Sequence, residues 1–308
     1  MQPASVLVTG ASGFLGAPLV RALLAAGCRV DAVSRSPQQD SAPNLHWLQA
    51  DLTVAGEIER VVAKSSPEIV FHLAGLVSGE RELEHVLPIF HTHLESTVRL
   101  LVAATTAGCR RIVLSGSLEA PEQASAEVPA SPYAVAKAAV ALYARFFHAL
   151  YGTPVVSARI AMAYGPGQVD HRKVVPYAIL SALRGEAPKL SSGARPADWI
   201  YVDDVIAGLL ALAEVPEIEG ESFDFGCGEL VTIREVVVRI CHALDAPTPE
   251  FGALADRPLE NTRRSNIAKS ASRLGWSPRV GLEEGLHRTI VSLRGELAAG
   301  SAANPPRR

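Results

Sequence analysis

Tyr133 and Lys137 are the two side chains whose types and spacing first suggest chemistry. They lie in the stretch SPYAVAKAA at 131–139, where Pro132 in the first turn and the alanines that follow predict a helix. Residues four apart share a helix face, so the phenol and the ammonium are expected side by side. The same spacing arises by chance in about one chain in ten of this composition, so the pair needs support from other residues.

A third polar side chain, Ser117, is expected close to this pair. The stretch IVLSGSLEA begins as an apolar strand and presents Ser117 at its end, sixteen residues before Tyr133. In a doubly wound sheet, ligands bind outside the carboxyl ends of the strands. We therefore predict that Ser117, Tyr133 and Lys137 converge at that edge as catalytic residues.

A glycine-rich turn after the first predicted strand indicates a dinucleotide cofactor. The stretch TGASGFLGAP places Gly10, Gly13 and Gly16 three residues apart, between a strand and a helix. Such glycines permit a tight turn, let backbone N–H groups approach a pyrophosphate, and allow the helix to pack on the strand. Further predicted cofactor contacts in this turn are Ser12, Phe14 and Leu15.

The residues after the second strand predict which dinucleotide binds. An acidic residue there would hold the ribose hydroxyls of NAD, but the stretch VDAVSRSP has Ser34 at that position, followed by Arg35. A missing carboxylate removes repulsion against a 2′-phosphate, and a guanidinium can hold one. NADP is therefore predicted, with NAD as the alternative and a solvated loop residue as the alternative for Arg35. Asp51, after the third strand, either meets the adenine amino group or caps the next helix.

Apolar runs alternate with helical patterns over the first 160 residues, which is typical of parallel strands joined by crossover helices. We predict an α/β fold, with a Rossmann-type doubly wound parallel sheet and a smaller mixed α/β C-terminal substrate domain. Thr232 and Glu235 form a capping box that predicts a later helix start. The predicted strands are Val6–Thr9, Arg29–Val33, Leu45–Ala50, Ile69–Leu73, Ile112–Ser115 and Val155–Ile160. The predicted parts are a dinucleotide-binding domain at 1–160 with 198–226 returning to it, a substrate domain at 161–197 and 227–295, and a disordered tail at 296–308.

The composition excludes several classes of function. The chain has 308 residues, 48% of them hydrophobic and 20% charged, which is typical of a globular protein, and its net charge of −3 argues against nucleic-acid binding. No apolar stretch reaches the 18 residues of a membrane span, and the N-terminus has no signal-peptide pattern, so we expect a cytoplasmic protein. The four cysteines have no metal-ligand spacing, so no metal is expected.

Taken together, the glycine turn, the strand-end serine and Tyr-x-x-x-Lys resemble the short-chain dehydrogenase/reductases. The chain is most similar to their extended branch, the NAD-dependent epimerases/dehydratases. Four further stretches carry this resemblance over nearly the whole chain: FHLAG (71–75), YGPGQ (164–168), DWIYVDDVIAGL (198–209) and LGWSPRVGLEEGL (274–286). The resemblance adds cofactor contacts at Leu52, Leu73, Ala74, Gly75, Tyr133 and Lys137.

The resemblance implies a role for each catalytic residue. Tyr133 would exchange a proton with a substrate hydroxyl, Ser117 would hydrogen-bond the same oxygen, and Lys137 would favour the phenolate and hold the nicotinamide ribose. The implied activity interconverts a secondary alcohol and a ketone, as a nucleotide-sugar epimerase or 4-ketoreductase. Relatives are commonly dimers that pack through helices around 84–107 and 132–151, so a homodimer is expected.

Departures from the family pattern refine this expectation. Dehydratases carry an Asp-Glu pair after the strand-end serine, and here those positions are Leu118 and Glu119, which disfavours dehydration. Glu119 is interpreted either as a second acid/base in the substrate site or as a solvent-facing residue. His93 takes the place of a family Asn, either as a packed core residue or as a group that tunes the site.

The substrate positions depart as well. Met162 replaces an Asn that reaches the substrate diphosphate, and Ala197 replaces an arginine; Arg195, two residues earlier, could reach in instead. Arg257 matches the family's C-terminal phosphate-binding arginine. Two alternatives to a nucleotide sugar therefore stay open: an NADPH-dependent reductase of a non-nucleotide ketone, in which Met162 and Ala197 line an apolar pocket, and a cofactor-bound protein without turnover.

Overall fold

The structure is a computed structural model that describes residues 2–76, 79–121, 127–257, 259 and 262–303, with side chains up to 299. Its strands are β1 (Ser5–Thr9), β2 (Arg29–Ser34), β3 (Leu45–Gln49), β4 (Ile69–His72), β5 (Arg111–Ser117), β6 (Val155–Ile160), β7 (Met162–Tyr164), β8 (Lys189–Leu190), β9 (Pro196–Tyr201), β10 (Ser222–Phe225), β11 (Leu230–Thr232) and β12 (Glu250–Phe251). Its α-helices are α1 (Gly16–Ala25), α2 (Glu57–Ser65), α3 (Val86–Ile89), α4 (Ser96–Thr106), α5 (Pro132–Tyr151), α6 (Val174–Leu183), α7 (Val202–Glu214), α8 (Ile233–Ala243), α9 (Ile267–Leu274) and α10 (Leu282–Ala303). No helix within the described ranges is both long and apolar enough to cross a membrane.

The chain divides into two compact units. The first unit comprises Met1–Ile160, Val205–Phe225 and Asn266–Ser277. The second unit comprises Ala161–Asp204, Gly226–Ser265 and Pro278–Arg308.

The first unit is built on a seven-stranded parallel sheet in the order β10-β6-β5-β4-β1-β2-β3. The predicted doubly wound fold is confirmed, and the six predicted strands are present with ends shifted by at most two residues. Parallel strands are covered by helices on both faces, which is why runs such as Ile69–His72 are buried throughout. All seven carboxyl ends lie at one edge of the sheet, where the site described below is built.

One hydrophobic core joins the sheet to three helices. Leu100 of α4 and Val140 of α5 pack in the same buried cluster as Ile112 of β5 and Ile58 of α2. Helix α5 begins as its sequence predicts, because the Ser131 hydroxyl accepts a hydrogen bond from Ala134 N at 3.1 Å and Pro132 occupies the first turn. The first turn of α5, which carries Tyr133, is thus fixed against the core.

The second unit contains a three-stranded sheet, β11-β9-β7, and a two-stranded sheet, β12-β8. The capping box at the start of α8 is confirmed: Thr232 and Glu235 exchange hydrogen bonds from their backbone N–H groups to each other's side chains. The buried carboxylate of Asp198 accepts three backbone N–H groups, from Cys227, Gly228 and Ser265, at 2.6–3.0 Å. This single side chain ties three segments of the unit together.

Several boundaries differ from the sequence prediction. The segment that returns to the first unit is Val205–Phe225, and not 198–226. Residues 266–277 belong to the first unit, because Asn266 N donates to the Asp224 carboxylate and the Ser270 hydroxyl donates to Asp224 O, which binds α9 to β10. A disordered tail was expected from residue 296, but α10 continues to Ala303, since this stretch is rich in the helix formers Leu, Glu and Ala. The rest of the predicted tail, 304–308, lies outside the described residues.

Candidate active site

The glycine turn after β1 is held by backbone contacts that leave no room for side chains. Gly10 adopts a left-handed conformation with φ of 67°, and a Cβ there would lie 2.7 Å from Ala74 N. A Cβ on Gly16 would overlap Gly10 O, and one on Gly13 would lie 3.1 Å from the same oxygen. The turn therefore requires glycine at two of its three glycine positions and packs directly on the segment after β4.

This turn leads into the N-terminus of α1, which has no side-chain cap. Helix α1 begins at Gly16, and its N-cap residue, Leu15, makes no side-chain capping hydrogen bond. Ser12 and Gly13 are exposed beside it, whereas Phe14 is partly buried. Because a helix N-terminus attracts anions, the residues present fit a dinucleotide pyrophosphate, and Gly10–Gly16 would hold it.

The end of β2 has hydroxyl and amide groups where a carboxylate would select NAD. The Ser34 hydroxyl lies 3.2 Å from that of Ser12 and accepts a hydrogen bond from Gln38 Nε2 at 3.2 Å. Arg35 follows and is exposed, and its positive charge contributes to lowering the pKa of Asp51. The groups around the 34–35 position are thus neutral or cationic, apart from Asp51.

Asp51 closes a turn after β3. Its Oδ1 accepts hydrogen bonds from Thr53 N at 2.9 Å and the Thr53 hydroxyl at 2.7 Å, and the first of these is the main cause of its lowered pKa. Helix α2 starts later, with Gly56 as its N-cap, so Asp51 does not cap that helix. Leu52 is buried beside it.

The segment after β4 forms the opposite side of the glycine turn. Leu73 N donates to Thr9 O at 3.2 Å, and Ala74 N donates to the Thr9 hydroxyl at 3.2 Å. Gly75 and Leu76 that follow are exposed. The predicted contacts at 73–75 thus adjoin Gly10, as a common cofactor site requires.

Ser117 and Tyr133 meet at the end of β5. Ser117 is the last residue of the strand, and its hydroxyl accepts a hydrogen bond from Glu119 N at 3.1 Å and is hydrogen-bonded to the Tyr133 phenol. Burial and the negative charge of Glu119 raise the pKa of Tyr133, while the Ser117 hydrogen bond opposes this increase. Glu119 therefore acts on the phenol by its charge.

Lys137 lies one helical turn beyond Tyr133. Its ammonium donates to Ser115 O at 2.5 Å and lies 5.7 Å from the centre of the Tyr133 ring. Burial lowers the pKa of Lys137 to about 8, so the side chain titrates close to neutral pH. A short stretch of β5 and α5 thus brings Ser117, Tyr133 and Lys137 together.

A chain of contacts connects the glycine turn to this cluster. Gly10 packs on Ala74, Gly75 packs on the His93 ring, and that ring lies edge-on against Tyr133, with ring centres 5.1 Å apart. The predicted cofactor turn and the predicted catalytic residues therefore lie at one site within the first unit.

Sequence reasoning missed two residues that support this site. Ser115 supplies the carbonyl for Lys137 and also donates its hydroxyl to His72 O at 3.0 Å. Its position two residues before Ser117, on the same strand face, is a signal that could have found it. Arg81 donates to Ala130 O at 2.6 Å, next to the start of α5, and no sequence pattern indicates this contact.

Three of the four predicted substrate residues, Met162, Arg195 and Arg257, lie in the second unit, whereas Glu119 lies in the first. Met162 begins β7 and is paired with Trp199 of β9, while Arg195 directly precedes β9 and its carbonyl accepts a hydrogen bond from Ile233 N at 3.1 Å. Ala197 is buried on β9, and Arg257 is exposed outside the regular elements. Met162 and Arg195 thus lie on or next to neighbouring strands of one small sheet.

Comparison with known proteins gives the family. Residues 6–226 match the NAD dependent epimerase/dehydratase family. The chain belongs to this family. It is 34% identical to a UDP-glucose 4-epimerase of Mycolicibacterium smegmatis, over 94% of this chain and 98% of the relative. It is 27% identical to a dTDP-glucose 4,6-dehydratase of Haemophilus influenzae, over 93% and 96% of the two chains.

Solved structures agree with the sequence matches. A crystal structure of Thermus thermophilus UDP-glucose 4-epimerase in complex with NAD superposes with a TM-score of 0.82 at 30% identity, covering 94% of this chain and 99% of that chain. The resemblance to the extended short-chain dehydrogenase/reductases is thereby confirmed. The chain is an enzyme of that type, from a family that depends on NAD.

Proposed function

We propose that this enzyme is a nucleotide-sugar epimerase that oxidises and re-reduces one secondary hydroxyl, with Tyr133 as its acid/base. The observation that carries the proposal is the cluster of Ser117, Tyr133 and Lys137 at the end of β5, connected by packing to the glycine turn. The 34% identity to a UDP-glucose 4-epimerase over nearly the full length supports it.

Each side chain has a task that follows from its contacts. When bound, the oxidised nicotinamide supplies a hydride acceptor and a positive charge that favours the phenolate. Tyr133 accepts the proton of the substrate hydroxyl and returns it after re-reduction. Ser117, already hydrogen-bonded to the phenol, donates to the same substrate oxygen, and the Lys137 ammonium stabilises the phenolate.

Dehydration is the less favoured outcome of this chemistry. Removal of water needs an acid and a base beyond the tyrosine. Leu118, at the first of the two dehydratase positions, is buried and apolar, and its N–H donates to Ile160 O at 2.9 Å. Glu119 alone carries a carboxylate at that point.

We propose NADP as the preferred cofactor. Ser34 presents a hydroxyl where a carboxylate would hold an NAD ribose, and the exposed Arg35 follows it. The Thermus thermophilus relative was solved with NAD, so NAD is the competing outcome. Fluorescence titration with NADPH and NADH separates the two, and tighter binding of NADH would overturn the assignment.

For the substrate we propose a nucleotide sugar whose phosphates are bound by Arg195 and Arg257. The apolar Met162 and the buried Ala197 favour a second candidate, the NADPH-dependent reduction of a ketone without a nucleotide. The two candidates differ in cofactor balance, because an epimerase regenerates its cofactor within each turnover and a reductase consumes it.

We further propose a homodimer. Helix α5 exposes a row of large apolar side chains, among them Leu142, Phe146 and Leu150, and α4 exposes Val102. Exposed apolar patches of this kind mark interaction surfaces, and a second copy of the same face would cover them. Light scattering that gave the mass of a single chain would contradict this proposal.

The function is tested by incubating the purified protein with UDP-galactose or UDP-glucose and separating the products by ion-exchange chromatography. With NADP⁺ as the bound cofactor, we expect each sugar nucleotide to yield the other without a net change in the amounts of NADP⁺ and NADPH. If neither is converted and NADPH is consumed with a non-nucleotide ketone, the reductase is correct. If neither sugar nucleotide is converted and no NADPH is consumed, the proposed function is overturned.

A further inference from the structure

We propose that His93 is a positioning residue for this reaction: its buried imidazole, held between Leu76 and Gly75, packs on the Tyr133 ring, fixes its position and shields it from water. The inference rests on the proposed function, since it assigns His93 a part in the Tyr133 chemistry. It resolves the two interpretations that the sequence left open for this histidine.

An irregular piece of helix delivers His93 to the site. Residues Phe90–Glu95 form a π-helical turn between α3 and α4. Pro88 just before it has no N–H, and hydroxyls of Thr92 and Ser96 donate to main-chain carbonyls at 2.7 Å, which compensates for the disturbed helical hydrogen bonds. Single π-turns of this kind are frequent at functional sites, because they re-aim one side chain.

The His93 ring is enclosed on three sides. Its Nε2 donates to Leu76 O at 2.9 Å, its edge lies against the Tyr133 ring, and only 2% of the residue is exposed. Gly75 forms the third side: a Cβ there would overlap Cε1 of the ring and lie 2.6 Å from Nδ1. The histidine fits at this position because residue 75 is a glycine.

These contacts fix both the tautomer and the charge of the ring. Since Leu76 O can only accept a hydrogen bond, Nε2 carries the proton and Nδ1 is the unprotonated nitrogen. Burial and the nearby Lys137 ammonium lower the pKa of His93 to about 3, so the ring stays neutral at every working pH. The other ionisable groups around it are Tyr133 on α5, His72 on β4 and, beyond the phenol, Glu119.

A ring that never charges is a poor proton donor or acceptor for the reaction, which argues for a role through its neighbours. It joins the loop after β4 to the catalytic helix through its contacts with Leu76 O and the Tyr133 ring. Burial is the main cause of the raised pKa of Tyr133, so loss of the ring that packs on it should move this pKa towards its value in water.

The test compares His93→Ala with His93→Gln, which can still donate to Leu76 O. With UDP-galactose as substrate, we expect His93→Ala to lower kcat about 10-fold, with KM changed by less than about 3-fold. Its acid limb of kcat against pH should move to lower pH, because a hydrated phenol ionises more readily. His93→Gln should recover most of kcat. The proposal is overturned if the limb does not move, or if Gln is no better than Ala.

A double-mutant cycle tests the packing without any activity measurement. We expect Gly75→Ala to lower the free energy of unfolding in the wild type, where the new methyl meets the ring, and to have little effect in the His93→Ala background. If wild-type protein converts no sugar nucleotide, the proposed function fails while this cycle still reports on His93. Additive effects of the two substitutions would overturn the inference by themselves.

Discussion

The glycine turn (residues 10–16) and the phenol cluster (Ser117, Tyr133, Lys137 and His93) lie at one edge of the same sheet but are held in opposite ways. At Gly10 and Gly16 the backbone packs on backbone, and an added methyl would collide with main-chain atoms. Around Tyr133, the structure is set by side chains: the Ser117 hydroxyl, the Lys137 ammonium and the His93 ring. The glycine turn has no room for side chains at Gly10 and Gly16, whereas the phenol cluster is built from side chains.

This difference suits the glycine turn to cofactor binding and the phenol cluster to proton transfer. The glycine turn offers backbone N–H donors of fixed position to an anion and has no group that titrates. A buried cluster of ionisable side chains shifts pKa values, which is what proton transfer requires. Loss of the Tyr133 hydroxyl should therefore reduce turnover and largely spare cofactor binding, whereas substitutions in the glycine turn should impair folding and cofactor binding together.

The largest effect is expected from Tyr133→Phe, which removes one hydroxyl and leaves the ring that packs on His93. We expect kcat to fall by about 10²–10⁴-fold, because the acid/base is lost. The affinity for NADPH, measured by fluorescence titration, should change by less than about 3-fold, since the glycine turn is unchanged. If the variant keeps near wild-type turnover, Tyr133 is not the acid/base. If it loses NADPH binding, the phenol cluster also binds the cofactor, and the proposed difference between the two regions is wrong.

Gly16→Ala tests the opposite side of the comparison. Its Cβ would overlap Gly10 O, so the turn or α1 must shift, at a cost of about 1–3 kcal/mol in the free energy of unfolding. We expect a lower Tm and at least about 10-fold weaker NADPH binding, because the donors at the helix N-terminus move with the turn.

Gly295→Ala is the matched control, since a Cβ at this helical position in α10 meets nothing within 4 Å. It should leave Tm unchanged or raise it slightly, because alanine favours helix. Equal effects of the two substitutions would mean that glycine content, and not backbone packing, matters in the turn.

The same contrast explains how much could be predicted from the sequence. Glycines spaced between a strand and a helix have few physical explanations, and the alternation of apolar runs identified six of the seven strands of the sheet. Ser117, Tyr133 and Lys137 were placed together because carboxyl ends of parallel strands share an edge. The strand β10 was not predicted as such, although 198–226 was expected to return to the first domain.

Contacts between distant side chains were beyond sequence reasoning. Nothing in FHTHLEST indicates a π-helical turn, so the histidine at 93 could not be assigned to the phenol rather than to the core. Arg81 reaches Ala130 across 49 positions, and Asp51 holds Thr53 where a helix cap was one of two interpretations. These outcomes depend on tertiary packing, which local patterns do not encode.

The variant Lys137→Met tests the phenol cluster through the pH dependence of the free energy of unfolding. Burial lowers the pKa of Lys137 to about 8 from 10.5, so between these values the unfolded chain binds a proton that the folded protein does not. The cost of burying the ammonium is therefore fully present below pH 8 and is relieved as pH rises. Relative to Lys137→Met, the wild-type free energy of unfolding should rise by roughly 2 kcal/mol from pH 7.5 to 10.

Urea unfolding of both proteins over this range measures the difference. Groups far from Lys137 that titrate in the window are present in both proteins and cancel. A difference that stayed flat or fell with pH would show that Lys137 is not buried as a titrating ammonium, and the phenol cluster would lose its tuning group. No such pH dependence is expected from the glycine turn, which has no ionisable side chain.

The smallest effect is expected at the border of the glycine turn, where we propose that Ser34, together with Arg35, selects the cofactor. Ser34→Asp places a carboxylate beside the position of a 2′-phosphate. Repulsion should weaken NADPH binding by about 10-fold and leave NADH binding equal or tighter.

Ser36→Asp adds the same charge two residues further on, at an exposed position, and controls for a general electrostatic effect. It should weaken NADPH binding less than Ser34→Asp does, because an exposed charge acts through water of high dielectric constant. If both variants weaken NADPH equally, discrimination is exerted by the net charge of this edge, including Arg35, and not by the group at residue 34. The glycine turn would then bind the pyrophosphate through its backbone, while charged side chains at this edge would determine the preference for NADPH over NADH. Side chains would thus determine function here, as they do in the phenol cluster.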